Sequence, residues 1–143
     1  MKKLLFIAAA FVVSISAMAQ QKADDLIKMN SEKHDFGKIK QGVPVTTTFT
    51  ITNTTNKPLV IENAWASCGC TTPEYAKEPI APGGSTKLKV GYNAAAMGTF
   101  TKPVYIKLAG IDEPKQVNII GEVVDANSVT AAPAKATKVK KAS

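Results

Sequence analysis

Residues 45–53 read VTTTFTITN, and their alternation decides the fold class. Val45, Thr47, Phe49 and Ile51 point one way, while Thr46, Thr48, Thr50 and Thr52 point the other. A period of two carried by β-branched and aromatic residues predicts a half-buried strand with a threonine-covered outer face. The pattern recurs along the chain. KLKVGY sets Leu88, Val90 and Tyr92 against Lys87, Lys89 and Gly91. PVYIKL places Val104, Ile106 and Leu108 opposite Tyr105 and Lys107, and QVNIIGEVV turns Val117, Ile119 and Val123 inward. LIKM and HDF near the start and PLVIENAW in the middle predict further strands.

Turn signals punctuate these runs at Gln41-Gly42, Asn53 to Pro58, Ala81-Pro82-Gly83-Gly84, Met97-Gly98 and Gly110 to Pro114. One buried and one wet face per strand imply antiparallel sheets packed face to face. The expected fold is all-β, an immunoglobulin-like antiparallel β-sandwich of about seven strands over residues 20–125. No stretch predicts a long amphipathic helix; Asn93 to Met97 has room for one helical turn. The expected core is Phe36, Phe49, Ile51, Leu59, Ile61, Leu88, Val90, Ile106 and Ile119.

The two ends differ from this middle. Lys2 and Lys3 precede the apolar run LLFIAAAFVV, and Ala17-Met18-Ala19 supplies small residues at the −3 and −1 positions. Residues 1–19 therefore read as a cleaved signal peptide, with Gln20 as the new N-terminus and a periplasmic or extracellular destination. The run is too short to span about 30 Å of hydrocarbon comfortably, so the cleaved product is expected to be free of the membrane. Residues 126–143 are built from Ala, Lys, Thr, Val, Ser and Pro, a composition expected to stay disordered. The net charge of +7 resides largely in these ends: of eighteen basic residues, all lysines, two lie in the leader and four in the tail. Twelve lysines then face eleven acids in the middle. The absence of arginine, the preferred fork for phosphate and guanine, argues against specific nucleic-acid binding. A lysine tail suits anionic envelope polymers or lipid headgroups, or simply solubilises the chain.

The ordered combination of HDFGKIKQG, TFTITNTTNKPLVI, SCGCTTPEY, PIAPGGS with KLKVGYN, GTF with KPVYIKL, and IIGEV resembles a family of exported bacterial proteins. That family is a domain of unknown function marked by a Cys-Gly-Cys-Thr signature. It is similar in turn to the major-sperm-protein and ASPM–SPD-2–Hydin group of immunoglobulin-like domains. The resemblance covers roughly His34 to Val124 and implies a seven-stranded sandwich with no assigned activity; the better-known relatives act as protein-binding or scaffolding modules. Of the matched positions, Gly37, Gly42 and Gly83 sit where a turn needs positive φ, and Asn53 where an amide closes a turn on the backbone.

WASCGCTTPEY, residues 65–75, holds both cysteines, separated by Gly69. At this spacing they cannot staple one sheet to the other as antibody-type domains do, so stability rests on the core. Three chemistries stay open. The thiolates of Cys68 and Cys70 suit Cu(I), and a zinc site would need His34 and a further ligand. Thiol exchange is possible, although the oxidoreductase signature has two intervening residues at a helix start, and Thr71-Thr72-Pro73 reads as a loop. A passive disulfide, or a buried thiol pair covered by Trp65, is the expected state. No cofactor is implied. Other enzyme classes fail on inventory: one histidine, no nucleophile elbow, no phosphate-cradling loop, and acids scattered over strand ends. Asn53-Thr54-Thr55 has the form of a glycosylation sequon, read as coincidence in a bacterial-looking chain. The expected function is an exported, non-catalytic module that binds another protein or an envelope polymer. Its contact surface would be a sheet edge or the loop residues Trp65, Thr71 and Tyr75. The alternative is a thiol-redox or Cu(I) protein using Cys68 and Cys70.

Overall fold

A computed structural model gives the fold and describes residues 20–128. The expected leader, residues 1–19, and residues 129–143 of the expected tail lie outside the described residues. In chain order a helical turn α1 (Ala23–Leu26) leads to β1 (Ile27–Met29), β2 (Lys33–Lys40), β3 (Val45–Asn53) and β4 (Ile61–Ala66). Then follow β5 (Thr71–Tyr75), β6 (Ser85–Tyr92), β7 (Gly98–Leu108) and β8 (Lys115–Val124). They form two four-stranded sheets, ordered β1-β3-β6-β5 and β2-β8-β7-β4.

The all-β, immunoglobulin-like sandwich is thus the observed fold, with eight strands where about seven were expected. The alternation holds in each strand that carried it: Phe49, Ile51, Leu88, Val90, Tyr92, Val104, Ile106, Leu108, Val117, Ile119 and Val123 are all buried. Burying each large apolar side chain contributes about 1.5–3 kcal/mol, which makes this layer the main source of stability. Phe36 and Leu59, expected in the core, are half-buried and pack on its rim, because both lie at sheet margins. Tyr92 and Phe100 stack with centroids 4.1 Å apart. Their packing relies on Gly121, where an added Cβ would sit 2.8 Å from Phe100 Cζ.

Three local expectations are corrected. Thr71–Tyr75 is a strand rather than a loop. The Asn93 N–H donates to the Cys70 carbonyl at 3.0 Å, so alternate pairing turns the Pro73 nitrogen away from β6, and no ladder hydrogen bond is lost. Leu26 closes α1 instead of opening a strand. Asn93 to Met97, where at most one helical turn was expected, makes none, and this reading stands; Ala94 is buried there with φ 53° and accepts a hydrogen bond from the Gly42 N–H. Finally, β2 runs parallel to β8. Asn30 to Glu32 carry the chain straight from β1 in one sheet to β2 in the other, so no hairpin fixes its direction. A bulge between Asp35 and Lys38 interrupts this pair, with Gly37 at φ 65° and its N–H on Asp35 Oδ1 at 2.7 Å.

The two ends of the sandwich are built differently. At one, Asn53 is fully buried; its Nδ2 donates to the carbonyls of Lys57 (2.7 Å) and Ile80 (2.9 Å). Its Oδ1 accepts from the Thr55 N–H and hydroxyl, both at 2.8 Å. One amide thereby organises the turn after β3 and the approach to β6. The same end holds Lys115, whose side chain is 9% exposed and forms ion pairs with Asp24 and Glu32. Together with the Lys22–Glu113 pair at 3.3 Å, these contacts tie α1 and the β1–β2 turn to the start of β8. At the opposite end, residues 41–44, 67–70 and 93–97 come together through the Gly42–Ala94 and Asn93–Cys70 hydrogen bonds.

Candidate functional site

β4 is the edge of one sheet and β5 the edge of the other, so Ser67 to Cys70 carry the chain across the corner between them. Cys68 and Cys70 form a disulfide there, with Cα atoms 5.3 Å apart. The bridge closes within the corner loop rather than between sheets. A ring of three residues constrains the unfolded chain by only ~1.6 kcal/mol, against about 3 for a fifteen-residue ring. The strands on both sides are already held by β7 and β6.

The surroundings of the bond are specific. Cys68 and Cys70 are half-buried, Gly69 is exposed, and Cys70 packs against the core. Thr71, the first residue of β5, is 4% exposed. Its Oγ1 lies 3.9 Å from Cys68 Sγ and 3.7 Å from Cys70 Sγ. These sulfurs are its side chain's hydrogen-bond partners among the described residues. A shallow cavity of about 180 Å³ adjoins the bond, lined by Pro44, Val45, Gly69, Cys70, Tyr92 and Asn93. Val43 and Met97, 50% and 58% exposed, belong to loops at the same end.

The other expected site residues lie elsewhere. His34 is in β2, its ring edge-on to Phe36 at 4.6 Å. Strand order places β2 three strands from β4, about 14 Å at ~4.8 Å per strand, so His34 does not reach the cysteines. Among the described residues, no group of three or more His, Cys, Asp or Glu is placed to share a metal ion. Trp65 pairs with Tyr105 across β4 and β7 and stacks on that ring at 5.4 Å, on the face opposite buried Val104 and Ile106. Tyr75 is half-buried and its hydroxyl donates to the Glu62 carbonyl at 3.3 Å, joining β5 to β4. Thr71 as a sulfur neighbour went unread in the sequence, although extending the period of two back from Tyr75 through Pro73 assigns it an inward side chain.

The sequence pattern of the family described as "Protein of unknown function (DUF1573)" matches residues 27–123, from the first residue of β1 to the last but one of β8. The chain belongs to this family. No curated protein matches it. Among solved structures, the DUF1573 chain is similar to a protein of unknown function from Porphyromonas gingivalis W83. Identity is 18% and the TM-score 0.60, over 68% of this chain and 46% of that one. It is similar to the VesB protease of Vibrio cholerae at 17% identity and TM-score 0.59, over 71% of this chain and 33% of the protease. The ASH/PapD-like domain 7 of human CEP192 matches at 7% identity and TM-score 0.58, over 85% of this chain and 99% of that domain. The DUF1573 chain thus spans less than half the length of the first two. At these identities the likeness is one of fold. Among the described residues no helix is long and apolar enough to cross a membrane.

Proposed function

We propose that this DUF1573 protein is an exported, non-catalytic module that engages another protein or an envelope polymer through the sheet face carrying Trp65. Export to the periplasm or beyond is supported by the basic, apolar and Ala-Met-Ala signals of residues 1–19. A non-catalytic role is supported by a chain with one histidine and no arginine.

The choice of surface follows from the sheet edges. β2 carries exposed Lys33, Lys38 and Lys40, charges that discourage a partner strand. β5 has Pro73, β1 has three residues, and β4 is bulged between Ile61 and Asn63. Strand addition is therefore poorly served, and side-chain anchoring is favoured. The observation that carries this reading is Trp65, 37% exposed yet held by its stack on Tyr105 within paired strands. A pre-ordered aromatic loses little entropy on binding and is a common anchor.

Crosslinking in intact envelopes, followed by recovery of the tagged protein, tests this. One partner should be recovered reproducibly, and Trp65→Ala should reduce its yield about tenfold with the fold retained. Absence of any reproducible partner, or equal recovery by Trp65→Ala, would overturn it.

A further inference from the structure

We infer that the Cys68–Cys70 disulfide is an exchangeable redox bond that accepts electrons from external thiols, with Thr71 as the residue that positions and stabilises the departing thiolate. The inference starts from a mismatch. A hydroxyl on a residue 4% exposed has, among the described residues, two disulfide sulfurs as its side-chain partners, at 3.7 and 3.9 Å. A disulfide sulfur is a weak acceptor, whereas a thiolate is a charged one that a hydroxyl serves well. Buried donors are normally placed where they are used. This donor is poorly used in the oxidised protein and well used once the bond is opened.

Two further observations agree. The bond contributes little as a staple, since its ring is three residues long and β4 and β5 are anchored without it. It is also reachable, with Cys68 half-buried between exposed Ser67 and exposed Gly69 at the end of the sandwich.

The asymmetry of the pair sets the direction of attack. Both cysteines are half-buried in the corner loop, but Cys70 packs against the core and its sulfur is the nearer to Thr71, whereas Cys68 is not part of that packing. An incoming thiolate forms a bond to Cys68 Sγ as the Sγ–Sγ bond breaks. The electron pair passes to Cys70 Sγ, which leaves as a thiolate accepting the Thr71 O–H. A second external thiolate then attacks the external sulfur of the mixed disulfide and releases Cys68. Two thiols supply two electrons and become a disulfide; the protons they lose protonate the cysteines or enter solvent. Hydrogen bonding to the charged form lowers the leaving thiol's pKa, and such a thiol leaves faster. Exchange at this bond does not depend on the Trp65 face.

The test is reduction of the folded, mature protein by millimolar glutathione, quenched with an alkylating agent and read by mass spectrometry. Glutathione should be found on Cys68 and the alkyl group on Cys70, with circular dichroism unchanged. Thr71→Val should slow reduction about tenfold, the value of one hydrogen bond to a charged sulfur, and Thr71→Ser should restore most of the rate. Three results would each overturn the inference: reduction only in denaturant, glutathione predominantly on Cys70, or a Thr71→Val rate equal to wild type. If Thr71→Val fails to fold, the position of glutathione on the wild-type protein and the rate for Thr71→Ser, expected to stay near wild type, still decide.

Discussion

Two polar side chains do the most at the scale of single residues, and they do so in opposite ways. Asn53 has every hydrogen-bonding capacity matched: two carbonyls for its amide, a backbone N–H and a hydroxyl for its oxygen. Removing it strips the Thr55 N–H of its acceptor and takes one donor each from the Lys57 and Ile80 carbonyls, which then keep only the Thr55 hydroxyl and the Leu59 N–H. Asn53→Ala is expected to destabilise the fold by about 2–4 kcal/mol, measured as a shift in the denaturant midpoint at constant slope. Thr71 is the converse, a buried hydroxyl facing two weak acceptors. Replacing it by valine in the oxidised protein is therefore expected to leave stability within about 1 kcal/mol of wild type, as thermal melts would show, even while it slows reduction.

At the scale of elements, the informative feature is the clamp of α1 and the β1–β2 turn onto β8. Burial of the Lys115 ammonium works against its charge, but hydrogen bonds and attraction from Asp24 and Glu32 outweigh that, and its pKa is raised. The sign follows from the raised folded value. Below the ordinary value of 10.5 the lysine is charged in both states and the clamp's contribution is fully present. As pH climbs through the folded pKa that contribution is lost. Lys115→Met is expected to cost roughly 1–3 kcal/mol at neutral pH, less than a fully buried pair because Asp24 and Glu32 are 50% and 69% exposed. It should also flatten the decline of stability above pH 10.5, and urea titrations at neutral and alkaline pH would show both.

Over the whole molecule, the long strands were legible because burial on one face imposes a period of two that VTTTFTITN, KLKVGY and PVYIKL display openly. Asn53, Gly37, Gly42 and Gly83 were legible for a related reason: Asn and Gly are the residues that tight turns favour, and the three glycines have φ of 65°, 73° and 70°. β5 was hidden because Pro73 reads as a breaker until its nitrogen is known to face away from the neighbouring strand. The parallel entry of β2 and the burial of Lys115 were hidden because both depend on partners far away in the chain; Asp24 and Glu32 stand 91 and 83 positions from the lysine. The same limit applies to the candidate site. Cys68 and Cys70 announced themselves, but the distance of His34, the outward turn of Trp65 and the inward hydroxyl of Thr71 all follow from the strand order.

That order places Trp65 and Tyr105 on one outer face and the threonines of β3 on the other, two surfaces of one sandwich with opposite character. The binding role proposed for the first is most directly measured with Trp65 kept in place, by putting a photo-crosslinking residue at exposed Asn63, on the same face of β4, and, separately, at exposed Thr48, and irradiating intact envelopes. A discrete adduct formed from position 63 and absent from position 48 is the predicted result. No adduct at position 63, or the same adducts from both positions, would contradict it.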